Sequence, residues 1–176
     1  MAAGLLAASS LLTSCATVQG LLSAPAAVEV QPARVLTHEE RLRADVTAAA
    51  TAYLGAPYSY GAKGPSRFDC SGFTSHVLAD FDISLLGSSR SQAKQGRSIP
   101  ADQAQPGDIV YFVTESGRVH HVALVVANGA EGLEVVHATT SRGVVRDNIT
   151  RSSYWAPRLA GARCVVDCRA DMASAF

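Results

Sequence analysis

FDCSGF, at residues 68–73, places a cysteine where a helix is predicted to begin. Behind the cysteine, apolar residues recur at helical spacing through residues 73–81, and no proline interrupts the run. Asp69, directly before the cysteine, is a favourable N-cap residue. A thiol in the first turn of a helix lies at the positive end of the helix dipole, which favours the reactive thiolate. Cys70 is therefore a candidate nucleophile, although a lone cysteine is more often a small buried apolar residue.

The composition is that of one folded domain. Apolar residues make up 48% of the 176 residues and charged residues 17%, which supports a sizeable hydrophobic core. Lys+Arg and Asp+Glu both total 15, so the charge gives no reason to expect a nucleic-acid partner. The cysteines, which show neither a CxxC pair nor zinc-finger spacing, are Cys15, Cys70, Cys164 and Cys168. A disulfide between Cys164 and Cys168 is one interpretation of the last two.

The first 36 residues have the features of a lipoprotein leader and a tether. Residues 1–14 are small and apolar, too short to span a bilayer and typical of a secretory signal. They lead into LTSC (residues 12–15), which resembles a bacterial lipobox in which Cys15 is acylated and becomes the mature N-terminus. Residues 15–36 would then form the lipidated N-terminus and a tether. Because Ala16 rather than Asp follows Cys15, we expect anchoring in the cell envelope at the outer membrane, facing the periplasm.

Helices are predicted first along the rest of the chain. Thr37 and Glu40 form a capping box, and Gly55 with Pro57 ends the helix that this box opens. A second helix begins at Cys70. Strands follow, as short Val-rich runs separated by turn sequences. These runs are residues 108–113, 119–127, 133–138 and 161–166.

This order predicts an α+β domain in which N-terminal helices, one carrying Cys70, pack on an antiparallel β-sheet. The predicted domain covers residues 37–166, and residues 167–176 form a C-terminal tail.

The hairpin between the second and third predicted strands brings two histidines together. With a turn centred near Gly129 or Ala130, His121 lies directly opposite His137 or diagonal to it. The Cβ atoms of such pairs are about 4.5–5.5 Å apart when opposite and about 7–8 Å when diagonal, so the two imidazoles can meet. His120 must point to the other face, and we expect it to be a bystander.

A thiol at a helix start and two imidazoles on adjacent strands are the groups that a cysteine hydrolase needs. One imidazole takes the thiol proton and later protonates the leaving amine, while the second fixes its tautomer and orientation. Two other interpretations stay open at this point. His121 and His137 could be half-exposed strand residues, or both could join Cys70 as ligands of a zinc ion.

Five motifs occur in the order found in the NlpC/P60 cysteine peptidases, and on these motifs the chain is identified as a member of that family. They are PYSYG (57–61), DCSG (69–72), QPGDIVYF (105–112), HVAL (121–124) and VHA (136–138). The resemblance covers roughly residues 41–166. It implies a papain-like α+β fold and cleavage of an amide bond in the stem peptides of bacterial peptidoglycan. The usual bond joins the side-chain carboxyl of D-glutamate to a diamino acid such as meso-diaminopimelate.

The resemblance also implies roles for individual residues. Cys70 resembles the nucleophile, His121 the general base and His137 the orienting third residue. The residues expected to contact the substrate or the oxyanion are Tyr58, Asp69 and Ser71. Their alternative roles are core packing for Tyr58, helix capping for Asp69 and a first-turn position for Ser71. Gly87 departs from the pattern, because relatives often carry an arginine there at the edge of the cleft.

The family resemblance implies no cofactor and no metal. The expected partners are peptidoglycan stem peptides and, through Cys15, a membrane; we expect a monomer. Three other functions remain as alternatives. The same triad could serve an amidase or acyltransferase that acts on another acyl substrate, the chain could be a non-catalytic wall-binding lipoprotein, or it could be a zinc protein.

Overall fold

The computed structural model describes residues 34–166. The predicted signal sequence, lipobox and tether, with Cys15, lie outside these residues, apart from the last few residues of the tether. The predicted tail with Cys168 also lies outside them, so what the sequence predicts there stays a prediction. Within residues 34–166, no helix is both long enough and apolar enough to cross a membrane.

The described residues form helices followed by one antiparallel sheet. The α-helices are α1 (His38–Ala52), α2 (Cys70–Ala79) and the short α3 (Ser89–Gln92). The strands are β1 (Arg97–Ile99), β2 (Ile109–Val113), β3 (Val119–Gly129), β4 (Gly132–Thr139), β5 (Gly143–Asn148) and β6 (Leu159–Cys164). Their order in the sheet is β1-β6-β2-β3-β4-β5, with every neighbouring pair antiparallel. The predicted α+β class is confirmed, whereas β1 and β5 were not predicted.

Both long helices begin as their sequences predict. The capping box of α1 is formed, because the Thr37 hydroxyl accepts from the Glu40 N–H and the Glu40 carboxylate accepts from the Thr37 N–H at 2.8 Å. Asp69 caps α2 by accepting from the Gly72 N–H at 2.6 Å. The cysteine is therefore the first residue of α2. The helix ends at Ala79, two residues before the predicted end.

The start of α2 is pressed against the loop in front of it. The Asp69 N–H donates to the Ala62 carbonyl at 2.9 Å. A Cβ atom at Gly72 would collide with that same carbonyl oxygen, so only glycine fits there. The glycine of the DCSG motif thus has a packing role, which fixes the position of Cys70 relative to the loop at residues 57–64.

The turn before β2 is tied to α1 through a buried ion pair. Arg43 donates to the Asp108 carboxylate at 3.1 Å, and Asp108 also accepts from the Gln105 N–H at 2.9 Å. The QPGD motif is therefore structural here. Arg43 also donates to the sulfur of Cys164 at 4.0 Å, and Cys164 is buried. Its predicted disulfide partner, Cys168, lies outside the described residues.

Apolar side chains cover both faces of the sheet. One cluster joins α1 and α2 to residues such as Ile109, Leu124 and Val136. A second cluster, which includes Ala123 and Val135, covers the other face together with part-buried Trp155. Alternate residues of β3 and β4 therefore belong to different clusters, as the period of a strand requires.

The register of β3 and β4 brings the two histidines into contact. A β-bulge interrupts β3 between Val125 and Ala127. On the side of the bulge that is nearer to His121, Leu124 pairs with Val136. In this register His121 lies diagonal to His137, which is one of the two arrangements that the hairpin predicts. The turn lies about one residue further along the chain than its predicted centre, because Gly129 pairs with Gly132 in the final rung.

Candidate active site

Cys70 lies where two hollows of the surface meet. The main cleft has a volume of about 580 Å³ and is lined by residues that include Tyr58, Cys70, His120, His121, Arg142, Asp147, Tyr154 and Trp155. The side hollow has a volume of about 420 Å³ and is lined by residues that include Tyr58, Lys63, Asp69, Cys70, Ser71, Gly87 and His120. A substrate bound across Cys70 can therefore extend to both sides of the sulfur.

The Cys70 thiol is protonated at rest. Burial raises its pKa above the ordinary value of 9.0, and the neighbouring Asp69 carboxylate acts in the same direction. Backbone N–H groups of Val122, Ser71 and Cys70 itself oppose this shift by donating towards the sulfur, but burial outweighs them. The helix start thus favours the thiolate, as predicted, but its effect on the pKa is smaller than that of burial.

His121 and His137 form the first part of a hydrogen-bonded chain of side chains. His121 Nε2 lies 2.9 Å from His137 Nδ1, and His137 Nε2 lies 3.0 Å from Asp147 Oδ2. Arg142 donates to the Asp147 carboxylate with both terminal nitrogens, at 2.9 Å to Oδ1 and through a shorter contact to Oδ2. Hydrogen bonds from His137 and then Arg142 hold the pKa of Asp147 well below its usual range, so the carboxylate is ionised.

An ionised carboxylate at the end of this chain fixes the tautomer of a neutral His137. Because Asp147 can only accept, His137 Nε2 carries the proton of the neutral ring, and His137 Nδ1 is then an acceptor. His121 Nε2 must then donate to His137, which leaves His121 Nδ1 without a proton. Burial, followed by the neighbouring His137 and His120, lowers the pKa of His121 well below 6.5. His121 is therefore a neutral imidazole with Nδ1 available as a base.

The only tryptophan of the chain holds this imidazole in place. Trp155 stacks on the His121 ring with centroids 4.7 Å apart and planes at 26°, and it also contacts His137 with centroids 5.0 Å apart. Phe112 lies against the indole at 4.9 Å. His137 is fully buried and His121 is 7% exposed. The aromatic rings keep water away from the imidazole pair, so the two histidines are not half-exposed strand residues.

Tyr58 borders both hollows beside Cys70. Burial raises its pKa, and the negative charges of the Cys70 thiolate form and of Asp69 add to this effect. The phenol therefore keeps its proton and can donate a hydrogen bond to an anion that develops at Cys70. This location is compatible with the predicted role near the oxyanion.

Asp69 and Ser71 lie beside Cys70, but their polar atoms already have partners. Ser71 donates to Asp69 at 2.9 Å, in addition to the capping bond from Gly72. The Lys63 ammonium lies 3.1 Å from both Asp69 and Ser71 and 3.0 Å from the Gly87 carbonyl. Any substrate ammonium that approached Asp69 would compete with Lys63. Gly87 contributes its backbone oxygen to this cluster.

His120 differs from its predicted role. It is exposed whereas His121 is buried, as alternation along β3 requires. However, it lines both hollows together with Cys70, so it is part of the site's wall rather than a bystander.

Sequence reasoning missed Arg142, Asp147 and Trp155. A signal for Asp147 was present in the chain, since β5 follows a short turn after the strand of His137. Val145 pairs with His137, so Asp147, two residues later, shares its face. No comparable pattern marks Trp155, which reaches the imidazoles from the loop before β6.

Within residues 34–166, no group of three or more His, Cys, Asp or Glu is arranged to hold a metal ion. The geometry of the imidazole pair gives the reason for these two residues. His121 Nε2 and His137 Nδ1 are directed at each other, and His137 Nε2 is directed at Asp147. These nitrogens therefore do not converge with Cys70 on one point, as zinc ligands would.

Comparison with known proteins agrees with this geometry. The model of the NlpC/P60 family matches residues 55–164, which is more than half of the chain. The chain belongs to the NlpC/P60 family. This family consists of cysteine peptidases that hydrolyse the bacterial cell wall.

Several curated members of the NlpC/P60 family are similar in sequence. The probable endopeptidase p60 of Listeria grayi is 42% identical over 114 residues, which are 65% of this chain and 21% of the relative. The probable endopeptidase NlpC of Escherichia coli is 37% identical over 111 residues, covering 62% of this chain and 69% of the relative. The gamma-DL-glutamyl hydrolase of Bacillus subtilis is 35% identical over 150 residues, covering 80% of this chain and 35% of the relative. The chain spans about a fifth of the length of the Listeria relatives.

Solved structures of NlpC/P60 domains share the fold. A family protein from Bacillus cereus superimposes with a TM-score of 0.64 at 27% identity, covering 70% of this chain and 40% of that one. The NlpC/p60 domain of the peptidoglycan hydrolase SagA superimposes with a TM-score of 0.57 at 31% identity, covering 69% of this chain and 97% of that domain.

Proposed function

We propose that this protein is a peptidoglycan endopeptidase that hydrolyses the amide bond between the D-glutamate side chain and the diamino acid of the stem peptide. The observation that carries the proposal is a thiol at the start of α2 in one cleft with a neutral imidazole. That imidazole is oriented by a second one, through His121 Nε2 and His137 Nδ1 at 2.9 Å. A thiol with an oriented base is the arrangement required for nucleophilic attack on an amide.

Names of relatives support the choice of bond. Besides the relatives named endopeptidase, two Bacillus subtilis proteins are named gamma-DL-glutamyl hydrolase and gamma-D-glutamyl-L-lysine dipeptidyl-peptidase. Both names refer to a γ-glutamyl bond. The two hollows on either side of Cys70 offer one place for the glutamyl portion and another for the amine portion of such a substrate.

The first half of the reaction forms a thioester. His121 Nδ1 takes the proton of the Cys70 thiol as the sulfur attacks the carbonyl carbon of the scissile amide. The oxyanion that forms accepts from backbone N–H groups at the start of α2 and from the Tyr58 hydroxyl. The imidazolium of His121 then protonates the departing amine as the C–N bond breaks. The acyl group remains on Cys70.

The second half restores the thiol. A water molecule gives a proton to His121 Nδ1 and attacks the thioester carbonyl, and the C–S bond breaks. The imidazolium returns its proton to the departing sulfur, and a carboxylic acid leaves. Throughout, His121 needs its Nε2–H bond to His137 to keep Nδ1 directed at the reaction.

The test uses the full chain and purified wall fragments that carry tripeptide and tetrapeptide stems. Mass spectrometry should detect loss of the portion that begins with the diamino acid, and Cys70→Ala should reduce the rate by at least about 10⁴-fold. Cleavage that persists in the variant would exclude Cys70 as nucleophile. Absence of cleavage by the folded wild-type protein would contradict the substrate.

A second candidate substrate follows from one comparison. The gamma-DL-glutamyl hydrolase aligns with 80% of this chain, a longer stretch than the endopeptidases align with. The same triad would then hydrolyse a γ-DL-glutamyl bond outside a stem peptide. Adding a γ-linked DL-glutamyl peptide to the assay separates the two substrates, because its products differ in mass from those of a stem peptide.

We also propose that the protein is anchored in the cell envelope through a lipid at Cys15. The support is the LTSC sequence at residues 12–15 and the small apolar residues before it. In cells grown with labelled palmitate, the wild-type chain should carry the label and sediment with outer membranes. Cys15→Ala should lose both properties, and an equally labelled variant would contradict the anchor.

A further inference from the structure

The imidazole pair continues beyond the two histidines to a carboxylate on β5. His137 uses both ring nitrogens, with Nδ1 facing His121 at 2.9 Å and Nε2 facing Asp147 at 3.0 Å. β5 places Asp147 there because its register pairs Val145 with His137 and Asp147 with Val135. The side chain of Asp147 is only 18% exposed, so its charge acts in a largely protein environment.

We propose that Asp147 is a positioning residue of the catalytic site, which fixes the ring protons of both histidines and is itself held by Arg142. The proposal extends the Cys70–His121–His137 arrangement by one residue and rests on the proposed function. It assigns Asp147 no contact with the substrate.

The alternative proton arrangement shows why the carboxylate matters. Without an obligatory acceptor at its Nε2, His137 could carry its proton on Nδ1 instead. It would then donate to His121 Nε2, and His121 would keep its proton on Nδ1. In that state His121 has no lone pair for the Cys70 proton. Asp147 excludes this state because an ionised carboxylate cannot donate a hydrogen bond to His137.

Asp147 also balances the charge that appears during the reaction. When His121 takes the thiol proton, a positive charge forms beside Trp155 in a site where His121 is 7% exposed. Asp147 is the carboxylate linked to that charge, through the ring of His137. On other elements, the charged or titratable groups facing the site are Cys70, Tyr58 and Tyr154 in the lining of the cleft, Asp69 beside Cys70, His120 beside His121 and Arg158 beside His120.

Arg142 keeps the carboxylate in one orientation. Its guanidinium donates to both oxygens of Asp147, which prevents rotation of the carboxylate away from His137. The Arg142 side chain is half exposed in the wall of the main cleft, so the pair lies at the surface end of the chain of hydrogen bonds.

Asp147→Asn tests the proposal, because the amide has the same shape but no charge and can donate as well as accept. We expect kcat to fall roughly 10²–10⁴-fold while KM changes less than about threefold. The acidic limb of the kcat/KM profile should move to lower pH, because loss of the negative charge makes protonation of His121 less favourable.

A matched control comes from the same two strands. Glu134 on β4 and Arg146 on β5 form a second carboxylate–arginine pair, with Arg146 Nε 2.8 Å from Glu134, and neither residue lines the main cleft or the side hollow. Glu134→Gln removes the same charge and should leave kcat and the pH profile unchanged. An equal loss in both variants would mean that the sheet edge matters only for stability and would overturn the proposal.

A second measurement does not depend on the substrate. Nitrogen-15 NMR of the folded protein reports which ring nitrogen of each histidine carries the proton. The wild type should show protonated Nε2 in both His121 and His137, and Asp147→Asn should show a mixture. Unchanged tautomers in the variant, or a kcat within about threefold of the wild type, would overturn the proposal. If the wild type cleaves no stem peptide, the NMR result still tests Asp147 separately from the proposed function.

Discussion

Two aspartates lie on opposite sides of Cys70, and each is paired with a cation. Asp69 accepts from a backbone N–H of α2 and pairs with Lys63, whereas Asp147 accepts from an imidazole and pairs with Arg142. The negative charges of these two carboxylates therefore act differently on the Cys70 thiol. Asp69 raises the pKa of the thiol directly, while Asp147 reaches the thiol only through two rings. The partner of a carboxylate, rather than its distance from Cys70, decides whether it holds the backbone of α2 or the proposed catalytic base.

The largest effect that tests this contrast is the pH dependence of activity. The proposed mechanism needs a neutral His121 and a protonated Cys70. The pKa of His121 is lowered below 6.5 and that of Cys70 is raised above 9.0. Activity should therefore be flat between about pH 6.5 and 9, and outside its two limits it should fall about tenfold per pH unit. Measurement of kcat/KM against pH checks this prediction. A fall in kcat/KM within this flat pH range would contradict a resting pair in which both groups are neutral.

A smaller effect separates the two carboxylates by their action on the thiol. Asp69→Asn keeps an efficient N-cap but removes the charge that raises the pKa of Cys70. The midpoint of iodoacetamide alkylation should move to lower pH by less than about one unit. Asp147→Asn is the comparison variant and should shift this midpoint less. A shift to higher pH in Asp69→Asn would show that its carboxylate does not act on the thiol.

The smallest effect concerns Lys63, whose ammonium occupies the oxygens beside Cys70. The side chain is 47% exposed, so Lys63→Met should change the free energy of unfolding by less than about 1 kcal/mol. If Asp69 and Ser71 bind an ammonium of the substrate, removing the competing lysine should lower KM about two- to fivefold and leave kcat unchanged.

Lys94→Met is the control for Lys63, because Lys94 is exposed and lines neither hollow. A KM that rises in Lys63→Met alone would mean that Lys63 itself binds the substrate. A KM that falls equally in both variants would assign the effect to overall charge.

Much of this arrangement could be predicted from local patterns. Asp69 and Cys70 are predicted by capping rules, and the contact of His121 with His137 follows from the two-residue period of strands and a short turn. These features depend on neighbours in sequence or on a single hairpin. The NlpC/P60 motifs predicted the same residues, since those motifs describe the same local elements.

The remainder depends on distant packing. The resting state of Cys70 is set by burial, which no residue near it in sequence reports. Trp155 comes from a loop 34 residues after His121, and its stacking depends on the return of the chain to β6. Asp147 was missed for a different reason, because β5 has a weak strand pattern in which Arg146, Asp147 and Asn148 follow only two valines.

The stacking of Trp155 on His121 has an optical consequence. The chain contains one tryptophan, so its fluorescence comes from a single known position. A protonated imidazole quenches indole emission at contact distance, whereas a neutral one quenches it far less. The emission intensity should therefore follow the charge on His121 during titration, and a ligand that enters the main cleft should change it as well. The proposed catalytic base thus has a built-in, label-free reporter that can be read in a stopped-flow cell.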